Sequence, residues 1–247
     1  SHQHSPFMAL ARPETTENAG EVYGYSLVYS GNFIAQADVG AYDLTRLNMG
    51  INPFGFNWLL EDGEEFCTPE VISVYSANGF GEMSRSFHRL YRNRLCRGKW
   101  RDIERPVLIN NWEATYFDFD EEKILNIAKK AQSLGVELMV LDDGWFGKRD
   151  DDTNSLGDWV ADRRKLPDGI DALAKKVTEL GMKFGLWFEP EMVSEDSDLY
   201  RAHPDWCIHV EGRRRTPSRH QLVLDLSRDD VCDYIVDAVS KVLGPAP

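Results

Sequence analysis

Four carboxylates follow apolar segments of the chain, and their positions point to hydrogen-bonding or acid–base chemistry. Asp142 and Asp143 come directly after one apolar run, and Glu189 and Glu191 come after another. A near-continuous apolar run that ends in a turn signal is typical of a strand buried on both faces. In parallel α/β proteins the carboxyl ends of such strands carry the ligand site. The alternative is that Asp142 caps a turn and Asp143 is solvated, since Asp-Gly is a common turn dipeptide.

Aromatic side chains and one arginine accompany these carboxylates near the predicted strand ends: Trp112, Trp145, Trp187 and Arg219. Carboxylates accept hydrogen bonds from hydroxyl groups, and an indole packs against the apolar C–H face of a sugar ring. A phosphate ligand would instead require a glycine-rich or basic loop, and none follows a predicted strand. The mixture of residues therefore favours a carbohydrate ligand.

Two carboxylates at one sugar site are the groups that a glycosidase uses. By spacing alone, Glu189 and Glu191 are the candidate catalytic pair, because positions i and i+2 of an extended segment face the same way. Asp142 and Asp143 are adjacent and would diverge on a regular strand. An acidic loop around Pro190 explains the two glutamates equally well.

Composition excludes several classes of partner. The net charge is −13, and the sequence has no basic stripe that could neutralise nucleic-acid phosphates. We therefore predict no nucleic-acid partner. No apolar run reaches the roughly 18 residues needed to span a membrane. The cysteines lack zinc-site spacing, and Asp150–Asp152 lacks the glycine and glutamate of a calcium loop, so we predict no metal. Scattered cysteines fit a reducing compartment, which predicts a cytoplasmic protein: Cys67, Cys96, Cys207 and Cys232.

The first part of the chain, residues 1–76, has the period-two alternation of antiparallel β structure. Strands are predicted at Tyr23–Ser30, Phe33–Val39, Thr45–Ile51 and Glu65–Ser76. Gly31-Asn32 separates the first two and predicts a β-hairpin there. A helical pattern follows Gly81 and predicts an amphipathic helix that links two domains.

After Pro106 the pattern changes to alternating strands and helices. Strands are predicted at 107–112, 136–141, 183–188 and 221–224, and helices at 120–134, 169–180 and 229–243. Such alternation predicts βαβ units and a parallel sheet. Because every predicted strand ends in polar or aromatic residues, we expect the rim of a (β/α)8 barrel.

The predicted fold class is α/β: the first half of a (β/α)8 barrel, preceded by the end of an antiparallel β-sandwich domain. The predicted domains are 1–78, the C-terminal part of the sandwich, 79–104, a linker helix, and 105–247, the first four βα units. A full barrel takes about 250 residues, so we expect only half of one here.

Four motifs resemble those of bacterial and fungal α-galactosidases of glycoside hydrolase family 36: Asn110-Asn111-Trp112-Glu113-Ala114, Leu141-Asp142-Asp143-Gly144-Trp145-Phe146-Gly147, Gly185-Leu186-Trp187-Phe188-Glu189-Pro190-Glu191-Met192 and Arg219-His220-Gln221-Leu222-Val223-Leu224-Asp225. The resemblance covers essentially the whole chain. It implies an N-terminal β-supersandwich, a (β/α)8 catalytic barrel and a C-terminal β domain, assembled as a tetramer. It also implies retaining hydrolysis of terminal α-galactosides such as melibiose and raffinose, without a cofactor.

The resemblance assigns substrate binding to five residues: Trp112, Asp142, Asp143, Trp187 and Arg219. The two aspartates would bind the hydroxyl groups that distinguish galactose from glucose, the two tryptophans would line the pocket, and the arginine would anchor the ring. Three further residues would support the site instead of acting as catalysts: Trp145, Glu189 and Glu191.

The family's nucleophile is an aspartate in a Lys-x-Asp motif on the strand after the last predicted helix. Its acid/base follows further on, so both are expected beyond Pro247. His220 stands where the family usually has asparagine. We expect the intact protein to be an α-galactosidase and residues 1–247 alone to be inactive. The alternatives are a non-catalytic galactose-binding or assembly fragment, or a related α-galactosyl transferase or α-N-acetylgalactosaminidase.

Overall fold

A computed structural model describes residues 4–244 of the chain. The chain divides into two compact units, Ser1–Glu104 (unit 1) and Arg105–Pro247 (unit 2). The described part of unit 1 contains antiparallel sheets, and that of unit 2 contains a parallel sheet with helices between its strands. This order agrees with the predicted fold class, whereas the predicted domain boundaries and the closure of a barrel stay predictions.

The described strands of unit 1 are β1 (Phe7–Ala11), β2 (Val22–Leu27), β3 (Phe33–Val39), β4 (Thr45–Ile51) and β5 (Val71–Ser76). They form one sheet of order β1-β2-β5 and a separate β3-β4 pair. The β-hairpin predicted at Gly31-Asn32 is therefore wrong. Both edges of β2 are already hydrogen-bonded, to β1 and to β5, so no edge remains for β3.

Helix α1 (Gly79–Leu90) packs on the β1-β2-β5 sheet of unit 1. Met83 and Phe87 of the helix form a buried cluster with Val22 of β2. Gly24 allows this approach, because a Cβ atom there would collide with both helix side chains. The helix predicted as a linker thus contributes to the core of unit 1. It continues into a π-helical turn at Tyr91–Leu95.

Unit 2 begins with three parallel strands, with short and long helices between them: β6 (Leu108–Asn110), α2 (Trp112–Thr115), α3 (Glu121–Ser133), β7 (Leu138–Leu141), α4 (Ile170–Glu179) and β8 (Lys183–Leu186). The sheet order is β6-β7-β8. Met139 and Leu141 are fully buried in the core that β7 shares with the helices. Parallel pairing brings the carboxyl ends of all three strands to one edge.

Helix α3 shows why the sequence pattern located the helices well. The Asp120 side chain accepts a hydrogen bond from the Lys123 backbone nitrogen at 2.8 Å, which satisfies an otherwise unpaired donor. Ile124, Ala128 and Ala131 are buried on the face that packs into the core. The apolar stripe and the cap together fix where the helix begins and which face it buries.

The remaining described strands and α-helices of unit 2 are β9 (Met192–Ser194), α5 (Asp198–Ala202), β10 (Gln221–Val223) and α6 (Asp229–Leu243), with a 3-10 turn at Pro204–Trp206. The prediction of a fourth parallel strand at 221–224 is wrong. β10 pairs antiparallel with β9, and the described parallel sheet has three strands. Leu222 of β10 packs with Val193 and Trp206 in a core cluster of its own. Apolar periodicity predicts a strand but not its partner, which explains the error.

None of the helices within residues 4–244 combines the length and the apolar character that crossing a membrane would require.

Candidate functional site

The ends of β6 and β7 are joined by side-chain hydrogen bonds around Asp142. The Asn110 amide nitrogen donates to one oxygen of the Asp142 carboxylate, and the Asp142 backbone nitrogen donates to the Asn111 side-chain oxygen at 2.8 Å. The Asn110 side-chain oxygen accepts from the Trp112 backbone nitrogen at 2.7 Å. Asp142 is therefore held in place while its side chain stays only half-buried, so that it can accept hydrogen bonds from a ligand.

Asp143 forms a bidentate ion pair with Arg149. Arg149 Nε lies 2.6 Å from Asp143 Oδ1, and Nη2 lies 2.8 Å from Oδ2. The Arg149 residue is 0% exposed and Asp143 is 4% exposed. Fork-to-fork geometry of this kind fixes the plane and direction of the carboxylate.

The Arg149 guanidinium also lies near two aromatic rings. Its Cζ atom is 5.7 Å from the centroid of Phe117 and 5.6 Å from that of Phe146. The remaining nitrogen, Nη1, donates to the Asn154 carbonyl at 2.6 Å. Each of its three nitrogens thus donates a described hydrogen bond and its charge is paired, which offsets the cost of burying it.

A second buried cation holds the backbone of the same loop. Lys165 Nζ donates to the Gly144 carbonyl at 3.0 Å and to the Arg149 carbonyl at 2.8 Å. Gly144 has a φ of 97°, and a Cβ atom there would lie 3.0 Å from the Phe117 ring. The left-handed turn after Asp143 thus requires glycine both for its conformation and for space.

The three tryptophans predicted near the strand ends differ in their roles. Trp112 is half-buried and lies edge-on to Phe117, with ring centroids 5.0 Å apart. Trp187 is half-buried and stacks on Phe146 at 6.4 Å. Trp145 is fully buried, and its Nε1 donates to the Trp187 carbonyl at 3.0 Å. Trp145 is therefore bonded to the backbone of Trp187 from inside the core, and its supporting role in the site stays a prediction.

Glu189 joins Arg219 to the end of β8. Glu189 Oε1 lies 3.7 Å from Arg219 Nη1, and Oε2 accepts from the Gln221 amide at 3.2 Å. Burial raises the pKa of Glu189 above its ordinary value, while Arg219 and Gln221 oppose that rise. Glu191 is exposed. The unequal exposure of the two glutamates separates them, although the spacing had made them a candidate pair.

Arg219 and His220 form the tip of a tight turn that leads into β10. Ser218 and Gln221 exchange two backbone hydrogen bonds of 3.0 Å, and the two central residues have φ values of 52° and 60°. Positive φ at both central positions defines a type I′ hairpin turn. The Arg219 side chain is 64% exposed, so the turn presents it to solvent.

The structure brings most of the predicted residues into one connected group. Described contacts run from Trp112 through Phe117 to Arg149, and from Arg149 to Asp143 and through Phe146 to Trp187. Asp142 is tied to the same strand ends through the two asparagines, and Arg219 pairs with Glu189, which follows Trp187 in the chain by two residues. These contacts support a common rim, although the binding roles stay predictions.

Sequence reasoning missed Arg149 and Lys165. Both lie within the polar connection between β7 and α4, whose sequence has no apolar periodicity. The one usable signal was the six-residue separation of Arg149 from Asp143 within the same loop. Burial of a charge depends on tertiary packing, so the local sequence did not show it.

No cluster of potential metal ligands occurs within the described part of the chain. A cavity of about 880 Å³ lies beside the β7–α4 connection, but of the predicted site residues it is lined by Trp145 alone. Asp150 is paired with Arg164 and Lys165, and the hydrogen bond from Arg164 is the main reason that its pKa lies below the ordinary value. Within Asp150–Asp152, Asp150 is thus engaged in ion pairing, and Asp151 accepts hydrogen bonds from Thr153.

Comparison with known proteins gives two family matches along the chain. The family described as Melibiase matches residues 65–247, and the Glycosyl hydrolase family 36 N-terminal domain matches residues 1–61. The chain is 64% identical over 247 residues to the α-galactosidase AgaA from Geobacillus stearothermophilus, covering 100% of this chain and 34% of that protein. It is 52% identical to the α-galactosidase Mel36A from Lactobacillus acidophilus, covering 98% of this chain and 33% of that protein.

Solved structures show the same similarity. The crystal structure of the Geobacillus stearothermophilus AgaA enzyme matches with a TM-score of 0.97 at 64% identity, covering 100% of this chain and 34% of that one. A variant of that enzyme in complex with raffinose matches with a TM-score of 0.96 at 63% identity and the same coverage. The chain therefore spans about a third of the length of these relatives.

Proposed function

We infer that the protein which carries this chain hydrolyses terminal α-D-galactosides, because the chain belongs to the α-galactosidases of glycosyl hydrolase family 36. The substrates we propose are of the melibiose and raffinose type, and a relative in complex with raffinose supports this choice. The observation that carries the proposal is the rim around Asp142, where a half-buried carboxylate is held between the ends of two parallel strands.

The proposed binding roles follow from the chemistry of the side chains. Asp142 and Asp143 accept hydrogen bonds from the galactose hydroxyl groups that differ from those of glucose. Trp112 and Trp187 pack against the apolar face of the ring. Arg219 donates to the sugar from the exposed turn before β10. Trp145, Glu189 and Glu191 support these residues and do not act on the bond: Trp145 and Glu189 through the contacts described above, Glu191 by its place beside Glu189.

We propose that hydrolysis proceeds with retention of anomeric configuration. A retaining glycosidase needs one carboxylate as nucleophile and a second as acid and base. Both are proposed to lie outside the present residues, because the relatives are about three times as long as this chain. The residues described here would bind and orient the galactosyl group without breaking the bond.

Assembly and location are also proposals. A cytoplasmic location is supported by the four cysteines, which are all free and of which Cys67 and Cys96 are exposed. A tetramer is proposed from the family resemblance. No cofactor is proposed, because acid–base and nucleophilic chemistry by carboxylates suffices for glycoside hydrolysis.

The test is turnover of an aryl α-galactoside by the complete protein, with the aryl β-galactoside, α-glucoside and α-N-acetylgalactosaminide as comparisons. We expect release from the α-galactoside and α-galactose as the first product seen by NMR. Absence of release would reject the proposed activity. A faster rate on the α-N-acetylgalactosaminide, or transfer exceeding hydrolysis, would favour the related enzymes instead.

The proposed rim is tested with Asp142→Asn, which keeps the size of the side chain but removes its charge and one of its two acceptor oxygens. We expect the KM for the α-galactoside to rise at least about tenfold, the loss that accompanies one weakened hydrogen bond to a charged group. Asp168→Asn is the matched control, because Asp168 is an exposed aspartate before α4. Equal KM values for both variants would remove Asp142 from the binding site.

A further inference from the structure

We propose that Arg149 is a positioning residue for the galactose site. It sets the distances between the Asp143 carboxylate and the two tryptophans, Trp112 and Trp187. The inference rests on the proposed function and adds to it a residue that touches no substrate. Arg149 contacts Asp143 directly and reaches Trp112 and Trp187 through one aromatic ring each. It is thus linked to Asp143 directly and to each of the two tryptophans through one ring.

The ion pair determines which lone pairs Asp143 offers to a ligand. Each carboxylate oxygen accepts one hydrogen bond from the guanidinium, at 2.6 Å and 2.8 Å. A side-on bidentate pair uses the lone pairs that lie between the two oxygens, and each oxygen keeps a further acceptor site. The remaining acceptor sites then have fixed directions, so Arg149 decides where a sugar hydroxyl group must lie to be bound.

The two rings also link the position of Arg149 to the positions of the two tryptophans. Phe117 lies on one side of the guanidinium and is in edge-on contact with Trp112, at 5.0 Å between centroids. Phe146 lies near the guanidinium as well and stacks on Trp187, with an angle of 11° between the planes. A guanidinium that lies within about 6 Å of both rings and is fixed by its carboxylate restricts where each ring can lie. The spacing of the two indoles therefore depends on the arginine.

Closure of the loop does not by itself require a buried arginine. Arg164, in the same loop, makes bidentate contacts with Asp150 and Asp162, yet its side chain is 55% exposed and none of its described bonds reaches the rim. Lys165 already holds the backbone at Gly144 and Arg149. Complete burial of Arg149 carries a desolvation cost that its pairing with Asp143 must offset, and the backbone contacts of Lys165 involve no such pair. Fixing Asp143 and the two rings is what Arg149 adds.

The experiment compares Arg149→Lys with Arg164→Lys in the complete protein. Lysine keeps the charge but loses the fork and the planar stacking surface. We expect Arg149→Lys to raise both the KM for an aryl α-galactoside and the inhibition constant of free galactose by about tenfold, in parallel. We expect the rate constant for turnover by active enzyme to change less than either of these. Arg164→Lys should leave both binding constants unchanged.

A purely structural role gives a different pattern. It predicts a lower melting temperature or a smaller active fraction, with unchanged KM and unchanged galactose inhibition in the enzyme that remains, and this result would overturn the proposal. Absence of turnover in the unsubstituted protein would instead reject the proposed function and is seen before any variant is made.

Phe117→Leu provides a second variant if Arg149→Lys does not fold. It keeps the ion pair and removes the ring between Arg149 and Trp112. We expect a smaller rise in KM than for a change at Arg149, with galactose inhibition shifted in the same direction. Unchanged binding constants in folded Phe117→Leu enzyme would contradict the proposed path to Trp112.

Discussion

Two connections flank the proposed rim, and they hold their charged residues in opposite ways. In the β7–α4 loop, residues 142–169, Asp143 and Arg149 are buried. Each of the three guanidinium nitrogens of Arg149 donates a hydrogen bond there. In the β8–α6 segment, residues 187–228, Arg219 is exposed and its carboxylate partner lies 3.7 Å away. One side of the rim is thus fixed by buried ion pairing, whereas the other presents a charge on a tight turn.

The difference shows how one site can combine fixed geometry with access for a ligand. Buried, fully paired charges have few alternative arrangements, because each alternative leaves a group without a partner in a low dielectric. An exposed ion pair contributes little stability and can exchange its partner for a ligand at small cost. We expect the β7–α4 loop to be prearranged and Arg219 to adjust to the sugar.

The largest expected effect is on the buried side. Asp143→Ala leaves Arg149 buried without its carboxylate, and we expect the free energy of unfolding to fall by about 3–5 kcal/mol. Arg219→Ala should change it by less than about 1 kcal/mol. Urea denaturation of the complete protein followed by tryptophan fluorescence measures both. Adding Arg149→Met to Asp143→Ala should recover part of the lost free energy of unfolding. Equal losses in Asp143→Ala and Arg219→Ala would contradict the difference between the buried and the exposed side of the rim.

Trp145→Phe tests the support of Trp187 from within the core. The change removes the only polar donor on the ring and leaves the Trp187 carbonyl without its 3.0 Å hydrogen bond. We expect a loss of about 1–3 kcal/mol in the free energy of unfolding, together with weaker galactose inhibition because Trp187 loses its anchor. Trp206→Phe, in the separate cluster beneath β10, is the control that should lower stability without affecting galactose inhibition.

Glu189, on the side of the rim that carries the exposed Arg219, is expected to make the stability of the protein depend on pH. Burial raises its pKa, so the folded protein binds this proton more tightly than the unfolded chain. Its contribution to stability is therefore fully present below the ordinary glutamate pKa and is lost as pH rises through the raised value. The melting temperature of the unsubstituted protein relative to Glu189→Gln should fall from acidic to neutral pH. A rise over that range would mean that the Arg219 pair outweighs burial.

The smallest expected effect concerns the turn itself. His220 has a φ of 60°, a conformation that glycine adopts without a steric penalty. We expect His220→Gly to raise the free energy of unfolding by about 0.5–1 kcal/mol. His209→Gly, an exposed position of the same segment outside the left-handed region, should give no gain. A loss at His220 would show that its side chain makes a stabilising contact that outweighs the strain.

Local sequence patterns closely predicted the three long helices of unit 2. The spans 120–134, 169–180 and 229–243 agree with α3, α4 and α6 to within about one residue. These elements have an apolar stripe and polar or glycine ends, which are properties of the segment itself. The polar residues after β6, β7 and β8 were located for the same reason, because a buried apolar strand must end where polar residues begin.

Strand pairing was less predictable. The hairpin expected at Gly31-Asn32 does not form, and β10 pairs with β9 instead of extending the parallel sheet. In both cases the alternation of apolar residues was real, and the strand exists. Which edge a strand finds is decided by the other strands that compete for it, and the local pattern contains no information about those.

By itself, the sequence determined the kind of elements, their order and the group of carboxylates and tryptophans at the strand ends, because periodicity and residue type act over a few residues. Only the tertiary structure decided that Asp143 faces a buried arginine, that Trp145 lies in the core and that Glu189 is shielded while Glu191 is exposed. Burial and charge pairing depend on residues brought together from distant elements. The same spacing of charges can therefore lie in water or in a protein core, and it is the packing around them that makes the difference.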